Sequence, residues 1–149
     1  EDDLDKQHEV LSQILGSVGE KVWIAKRFCF DNGKNIFIGN NFTGNFNLTI
    51  LDVKEVYIGD NVMIGPNTLI TTVGHPLTPK GRREHLAKAS EINIGNDVWL
   101  GGNVTILPGV TIGNNVPKIN SYTFFKCTSL ETVVMGSGIK TMSLFSTTA

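Results

Sequence analysis

The sequence predicts an all-β chain wound as a parallel β-helix, and three observations carry that prediction. Aliphatic residues lead successive runs of six positions; Gly, Asn and Asp crowd the places just behind them; and no stretch shows the period-two alternation of an ordinary amphipathic strand. The beat reads "IGNNFT" (Ile38–Thr43) and "GNFNLT" (Gly44–Thr49), with Ile50 in register. After a two-residue slip come "IGDNVM" (Ile58–Met63) and "IGPNTL" (Ile64–Leu69), with Ile70 in register. Beyond an interruption, "IGNDVW", "LGGNVT", "ILPGVT" and "IGNNVP" run from Ile94 to Pro117 with no slip.

Each hexad makes a short strand and a corner. The leading aliphatic residue points inward, and Gly, Asn and Asp accept the left-handed or tight backbone that a corner needs. A second small or branched residue (Val62, Thr68, Val98, Val104) packs inward before the next corner. Three hexads close a triangular coil, and coils stack at about 4.8 Å over a continuous aliphatic core. The expected architecture is the left-handed hexapeptide-repeat helix, an exception to the right-handed crossover rule.

Taken in order, residues 1–16 predict a helical segment. Leu4, Leu11, Ile14 and Leu15 can share a face, acidic residues open the segment, and Gly16 sits where a C-terminal cap belongs. His8 falls on its polar side and is expected to face solvent. The β-helix is expected over 17–117, broken by an inserted loop at about 71–91 that contains "TTVGHPLTPKGRREHLAK". So long an insertion in a compact domain is usually functional. Its basic residues Lys80, Arg82, Arg83 and Lys88 read as a solvated face, with contact to an anionic cofactor as the alternative. From 118 to 149 the beat is gone, leaving an atypical tail.

The totals exclude several classes. Thirteen basic against 14 acidic residues give a net charge of −1, without the basic surplus of a nucleic-acid binder. Two cysteines, Cys29 and Cys127, form neither a disulfide framework nor a zinc motif; reduced thiols in the cytoplasm are the default. No apolar run reaches the ~18 residues of a membrane helix, so no membrane association is expected.

"NFTGNFNLTILDV", "IGDNVMIGPNTLITTVGHPL" and "IGNDVWLGGNVTILPGVTIGNN" together resemble the maltose and galactoside O-acetyltransferases of the hexapeptide-repeat superfamily, from Gly16 to Asn115. The ordered set N-F-N, I-L-D, G-H-P and V-W-L-G-G carries the resemblance; the beat alone would reach only the superfamily. The resemblance implies acetyl transfer from acetyl-CoA to a sugar hydroxyl of maltose, glucose or galactoside type, with no metal. It also implies a homotrimer whose active sites lie between neighbouring prisms.

A sugar hydroxyl is a poor nucleophile until a base takes its proton, and histidine suits that exchange near neutrality. By the resemblance His75 is the catalytic base. Asn45 matches a residue that contacts the acceptor or the reacting centre, though asparagine also suits a corner. Asp31 matches a sugar-contacting position, and Asp52 would be a carboxylate near the same cleft, orienting the histidine or binding a hydroxyl. Trp99, Gly101 and Gly102 fall where the family runs its coenzyme, the glycines admitting the pantetheine arm and the indole walling it. Packing at a subunit contact is a second role open to Trp99. A gapless extension puts Lys126 on the family's coenzyme-binding lysine.

The chain departs from the family at Thr43–Gly44, where an aromatic residue or alanine usually stands, and at Ala87, where a Glu is frequent. It also lacks the usual segment after the last hexad. "TVVMGSGIK" (Thr132–Lys140) resembles the family's ending, while the spacing F-x-x-C-x-x-L-x-x-V resembles a BspA-like leucine-rich repeat. The altered tail gives an alternative function, a catalytically impaired scaffold with an incomplete coenzyme groove. Two other enzyme classes share the fold. Carbonic anhydrase needs a differently spaced histidine triplet, and the loop context favours sugar over serine as acceptor.

Overall fold

The computed structural model describes residues 4–114, and the predicted coil is there as a three-faced left-handed prism. The first face stacks β1 (Ser17–Val18), β4 (Ile36–Ile38), β7 (Val56–Ile58), β12 (Ile92–Ile94) and β15 (Thr111–Ile112). The second stacks β2 (Trp23–Ile24), β5 (Thr43–Gly44), β8 (Met63–Ile64) and β13 (Trp99–Leu100). The third stacks β3 (Cys29–Phe30), β6 (Thr49–Leu51), β9 (Leu69–Thr71) and β14 (Thr105–Ile106). All neighbours in these faces run parallel, in registers such as Phe37↔Tyr57 and Thr49↔Leu69.

The hexad sequence explains the corners. Asn41, Asn61 and Asp97 hold left-handed φ of 54°, 58° and 56° where the second face begins, and Asn47, Asn67 and Asn103 do so where the third begins. Short amide and carboxylate side chains tolerate that conformation. They also stack: Asn41 Nδ2 donates to Asn61 Oδ1 at 2.9 Å, Asn61 Nδ2 to Asp97 Oδ1 at 3.0 Å, and Asn47 Nδ2 to Asn67 Oδ1 at 2.8 Å. At Gly39 a Cβ would stand 2.7 Å from the carbonyl carbon of Gly59, so the next coil leaves no room for a side chain.

Ile36, Leu48, Ile50, Val56, Val62, Ile70 and Ile92 are fully buried, each worth about 1.5–3 kcal/mol of burial for its size. Thr68 lies among them with its hydroxyl satisfied by the Gly65 carbonyl at 2.9 Å. Gly44, a departure from the family pattern, leads its hexad and faces inward. The ring of fully buried Phe42 and the Leu48 side chain stand 3.0 and 2.9 Å from where its Cβ would be.

Helix α1 (Leu4–Ile14) closes the open end of the first coil. Leu11 and Leu15 are buried and Ile14 packs on the core, whereas Leu4, expected on the same face, begins the helix and stays 56% exposed. The Gln7 amide pairs with β2 as a further strand would, donating to the Ile24 carbonyl at 2.8 Å and accepting its N–H at 3.0 Å. An edge strand is thereby covered. His8 is half-buried, its Nε2 donating to the Gly19 carbonyl at 3.0 Å, a structural tie in place of the expected solvent-facing role. Lys34 Nζ, rather than Gly16, closes the helix C-terminus by donating to the Gln13 and Leu15 carbonyls at 2.7 and 3.1 Å. Gly16 is needed for close approach: a Cβ there would meet the Lys34 carbonyl at 2.5 Å.

Every deviation from the six-residue beat between β3 and β12 falls on the edge between the third and first faces. The turns at 31–35 and 52–55 and the long insertion each join a third-face strand to the next coil's first-face strand. Among the described residues no helix is long and apolar enough to cross a membrane. The tail expected at 118–149 lies outside the described residues.

Candidate active site

The insertion is an ordered arm. β10 (Val73–Gly74) pairs antiparallel with β11 (Lys88–Ala89), and a short helix α2 (Pro79–Arg83) lies between them. Thr78 caps α2, its hydroxyl accepting the Gly81 N–H at 3.3 Å, and Pro79 occupies the first turn, where its missing N–H costs nothing. The root is buried. Thr72, with no exposure, donates its hydroxyl to the Leu51 carbonyl at 2.8 Å and accepts the Lys54 N–H at 3.0 Å, while Ser90 N–H returns to the Thr72 carbonyl at 2.8 Å. Both ends of the arm are thus tied to one buried threonine.

His75 follows β10 and is exposed. Its Nδ1 lies 3.0 Å from the Leu86 carbonyl. A carbonyl only accepts, so Nδ1 carries the hydrogen, and the neutral ring keeps its lone pair on Nε2. The arrangement holds an imidazole by one nitrogen and leaves the other to accept a proton.

Asp52 has a different place from the one expected. It is fully buried, and its carboxylate is taken up by the turn below. Oδ1 accepts the Asp31 and Asn32 N–H groups at 3.1 and 2.9 Å, and Oδ2 accepts Asn35 N–H at 3.3 Å. Asn35 Nδ2 returns to the Asp52 carbonyl at 2.8 Å. An anion held by three backbone donors inside the protein is a fixed point of the fold, so the expectation that Asp52 itself meets a hydroxyl or the histidine gives way to one in which it holds Asp31. Asp31 is exposed on that turn.

Asn45 occupies the other edge of the third face, at the corner between β5 and β6. Its Oδ1 accepts the Phe46 N–H at 2.8 Å, a corner role, while Nδ2 meets no partner among the described residues. Gly101 and Gly102 lie on the same edge, with the Gly65–Pro66 corner stacked between; a Cβ on Gly102 would stand 3.3 Å from Pro66 Cδ. Trp99, on the outer side of the second face in register with Met63, is 66% exposed. Lys126 lies outside the described residues.

The candidate residues therefore form two groups. Asp31, Asp52 and the His75 arm share the edge between the third and first faces; Asn45, Gly101 and Gly102, with Trp99 beside them, share the edge between the second and third. No hydrogen bond among the described residues joins the two groups. Among the described residues, no three His, Cys, Asp or Glu side chains gather into a cluster that could hold a metal. Sequence reasoning passed over Leu86 and Thr72 and gave Arg82 only a place on the loop's basic face. The first acts through a main-chain carbonyl, which leaves no mark in a sequence, and the other two read as ordinary loop residues.

Comparison with known proteins concerns the prism as a whole. Residues 91–116 match the family described as bacterial transferase hexapeptide (six repeats). The chain is 43% identical over 113 residues to the galactoside O-acetyltransferase of Escherichia coli (strain K12), covering 76% of this chain and 56% of that protein. A solved galactoside acetyltransferase in complex with coenzyme A superposes with a TM-score of 0.74 at 43% identity, over 76% of this chain and 57% of that one. A maltose O-acetyltransferase from Clostridium difficile 630 superposes with a TM-score of 0.74 at 42% identity, over 77% and 62%. The chain spans less than two-thirds of the length of these relatives. In sequence and in fold the described prism is similar to hexapeptide-repeat transferases, among them galactoside and maltose O-acetyltransferases.

Proposed function

We propose that this protein is an acetyl-CoA-dependent O-acetyltransferase acting on a sugar hydroxyl of maltose, glucose or galactoside type, with His75 as general base. The observation that carries the reading is the Nδ1–Leu86 hydrogen bond, which reserves Nε2 for the acceptor. Acetyl-CoA would supply an activated acetyl thioester. The Nε2 lone pair takes the hydroxyl proton as the sugar oxygen bonds to the acetyl carbon. It then returns that proton to the thiolate as the carbon–sulfur bond breaks, so the base is regenerated. The unpartnered Asn45 Nδ2 is a donor for the oxyanion or for a sugar hydroxyl, and exposed Asp31 is an acceptor for others. The exposed Trp99 indole and the side-chain-free backbone at Gly101 and Gly102 fit an apolar pantetheine arm; Lys126 is assigned to the same coenzyme by resemblance.

The two groups of residues on different edges of one prism support assembly. If the third-to-first edge of one copy faces the second-to-third edge of its neighbour, His75 and Asp31 meet a partner's Asn45 and Trp99, and a closed ring of three copies gives three such sites. The reading therefore includes a homotrimer, and it places the enzyme in the cytoplasm with exposed Cys29 reduced.

The test is His75→Ala, assayed for acetyl-CoA turnover with glucosides, galactosides and maltose. Loss of the base should lower kcat by about 10²–10⁴-fold with coenzyme A binding intact by calorimetry. Undiminished turnover would refute the role of His75, and absence of coenzyme binding in the parent protein would point to the scaffold alternative.

A further inference from the structure

Arg82 looks like a solvated cation in sequence, yet its side chain folds back along the arm. Nη1 donates to the Pro76 carbonyl at 3.0 Å and to the Leu77 carbonyl at 2.5 Å, the carbonyls of the two residues that directly follow His75. The same stretch delivers the acceptor of the imidazole. Arg82 carbonyl accepts His85 N–H at 3.0 Å; His85, at a left-handed φ of 55°, turns the chain; Leu86 N–H bonds the Gly81 carbonyl at 3.0 Å; and Leu86 carbonyl then receives His75 Nδ1–H. Gly81 is buried against Pro76, whose Cβ would stand 2.8 Å from a side chain placed there.

We propose that Arg82 is a positioning residue for the reaction: by clamping the peptides after His75 onto α2, it fixes the Leu86 carbonyl on Nδ1 and so sets which imidazole nitrogen is free. Beyond the β10–β11 pairing, the main-chain bonds of α2 and its turn, the Thr78 cap and the Gly81–Pro76 contact, little else holds that geometry. Leu77 and Leu86 are 73% and 52% exposed, so apolar burial contributes little, and the Lys80–Glu84 ion pair is long at 3.9 Å and exposed. A guanidinium group offers two hydrogens on one planar nitrogen to two carbonyls at once; a glutamine is too short, and lysine is flexible where arginine is rigid. The carbonyls released in a variant are open to water, so the prism itself should keep its stability while the imidazole loses its orientation.

This inference rests on the acetyltransferase reading only for its kinetic consequence, so the test has two arms. In the first, 15N NMR of the histidine rings reads the tautomer of His75, assigned by comparison with His75→Ala, at a pH where the ring is neutral. The parent should show the Nδ1–H form, Arg82→Gln should shift the ring toward the Nε2–H form, and Arg82→Lys should restore part of the parent signal. In the second, kcat should fall about tenfold in Arg82→Gln, with the KM for acetyl-CoA and the melting temperature unchanged, as for a displaced catalytic group. A parent-like tautomer in Arg82→Gln, or an Nε2–H ring in the parent, overturns the proposal. If the tautomer shifts but His75→Ala retains full turnover, the positioning stands and the assignment of His75 as base fails.

Discussion

Replacing Asp52 with Asn changes one atom's chemistry at a fully buried site and tests how the fold holds Asp31. The carboxylate accepts three main-chain hydrogen bonds, two on Oδ1 and one on Oδ2. The amide keeps one oxygen, so whichever way it is turned, at least one N–H donor of the 31–35 turn faces an NH2 group. Charge-assisted bonds are worth about 1.5–3 kcal/mol each and neutral ones about half, and an opposed buried donor adds about 1–3 kcal/mol. Because the longest bond, at 3.3 Å, is the natural one to lose, a net cost of about 3 kcal/mol is expected for Asp52→Asn. That corresponds to a fall in melting temperature of about 10 °C for a chain of this size. Asp52→Ala should fall further, since every donor is then unpaired. If Asp31 contacts the acceptor, Asp52→Asn should also raise the KM for the sugar several-fold with the KM for acetyl-CoA unchanged. Thermal melts and steady-state kinetics suffice. A melt equal to the parent's would show that the turn does not depend on the buried carboxylate, and the reasoning from three donors would be wrong.

Other expectations follow from particular contacts. Gly39→Ala should destabilise by more than 2 kcal/mol by urea titration, because its Cβ would meet the backbone of the next coil, which cannot yield as a flexible side chain can. Gly44→Ala alone should cost about 1–3 kcal/mol by overpacking, whereas Phe42→Leu combined with Gly44→Ala should recover part of that loss, giving a favourable coupling in a double-mutant cycle. Thr72→Val removes a hydroxyl that joins the Leu51 carbonyl to the Lys54 N–H. It should cost about 1–3 kcal/mol by thermal melting and loosen the arm, seen as faster amide exchange at Ser90, whose N–H bonds the Thr72 carbonyl.

The prism was readable because its rule is local. Inward aliphatics such as Ile50, Ile64 and Ile70 and left-handed asparagines such as Asn61 and Asn67 each declare their place within six residues. The site was readable only in part. His75 stands out as the residue in the broken rhythm, but what orients it is a carbonyl at Leu86 and a guanidinium at Arg82, neither of which a sequence marks as special. Asp52 was drawn toward the chemistry by its motif, whereas its burial and three donors give it to the fold. Leu4 and His8 went astray because the helical period says which residues share a face and not where the prism ends beneath them.

The uniform stacking has a kinetic consequence. Corner contacts between the second and third coils close 20 residues of chain, and those across the arm close 36. In a flexible-loop estimate the longer closure costs only roughly 0.5 kcal/mol more. Folding can therefore proceed as a zipper whose steps are nearly equal in height, with the arm a minor pause between the third and fourth coils. A chain so built can take up a reactive limb at one edge and still thread itself together at close to the pace of the bare repeat.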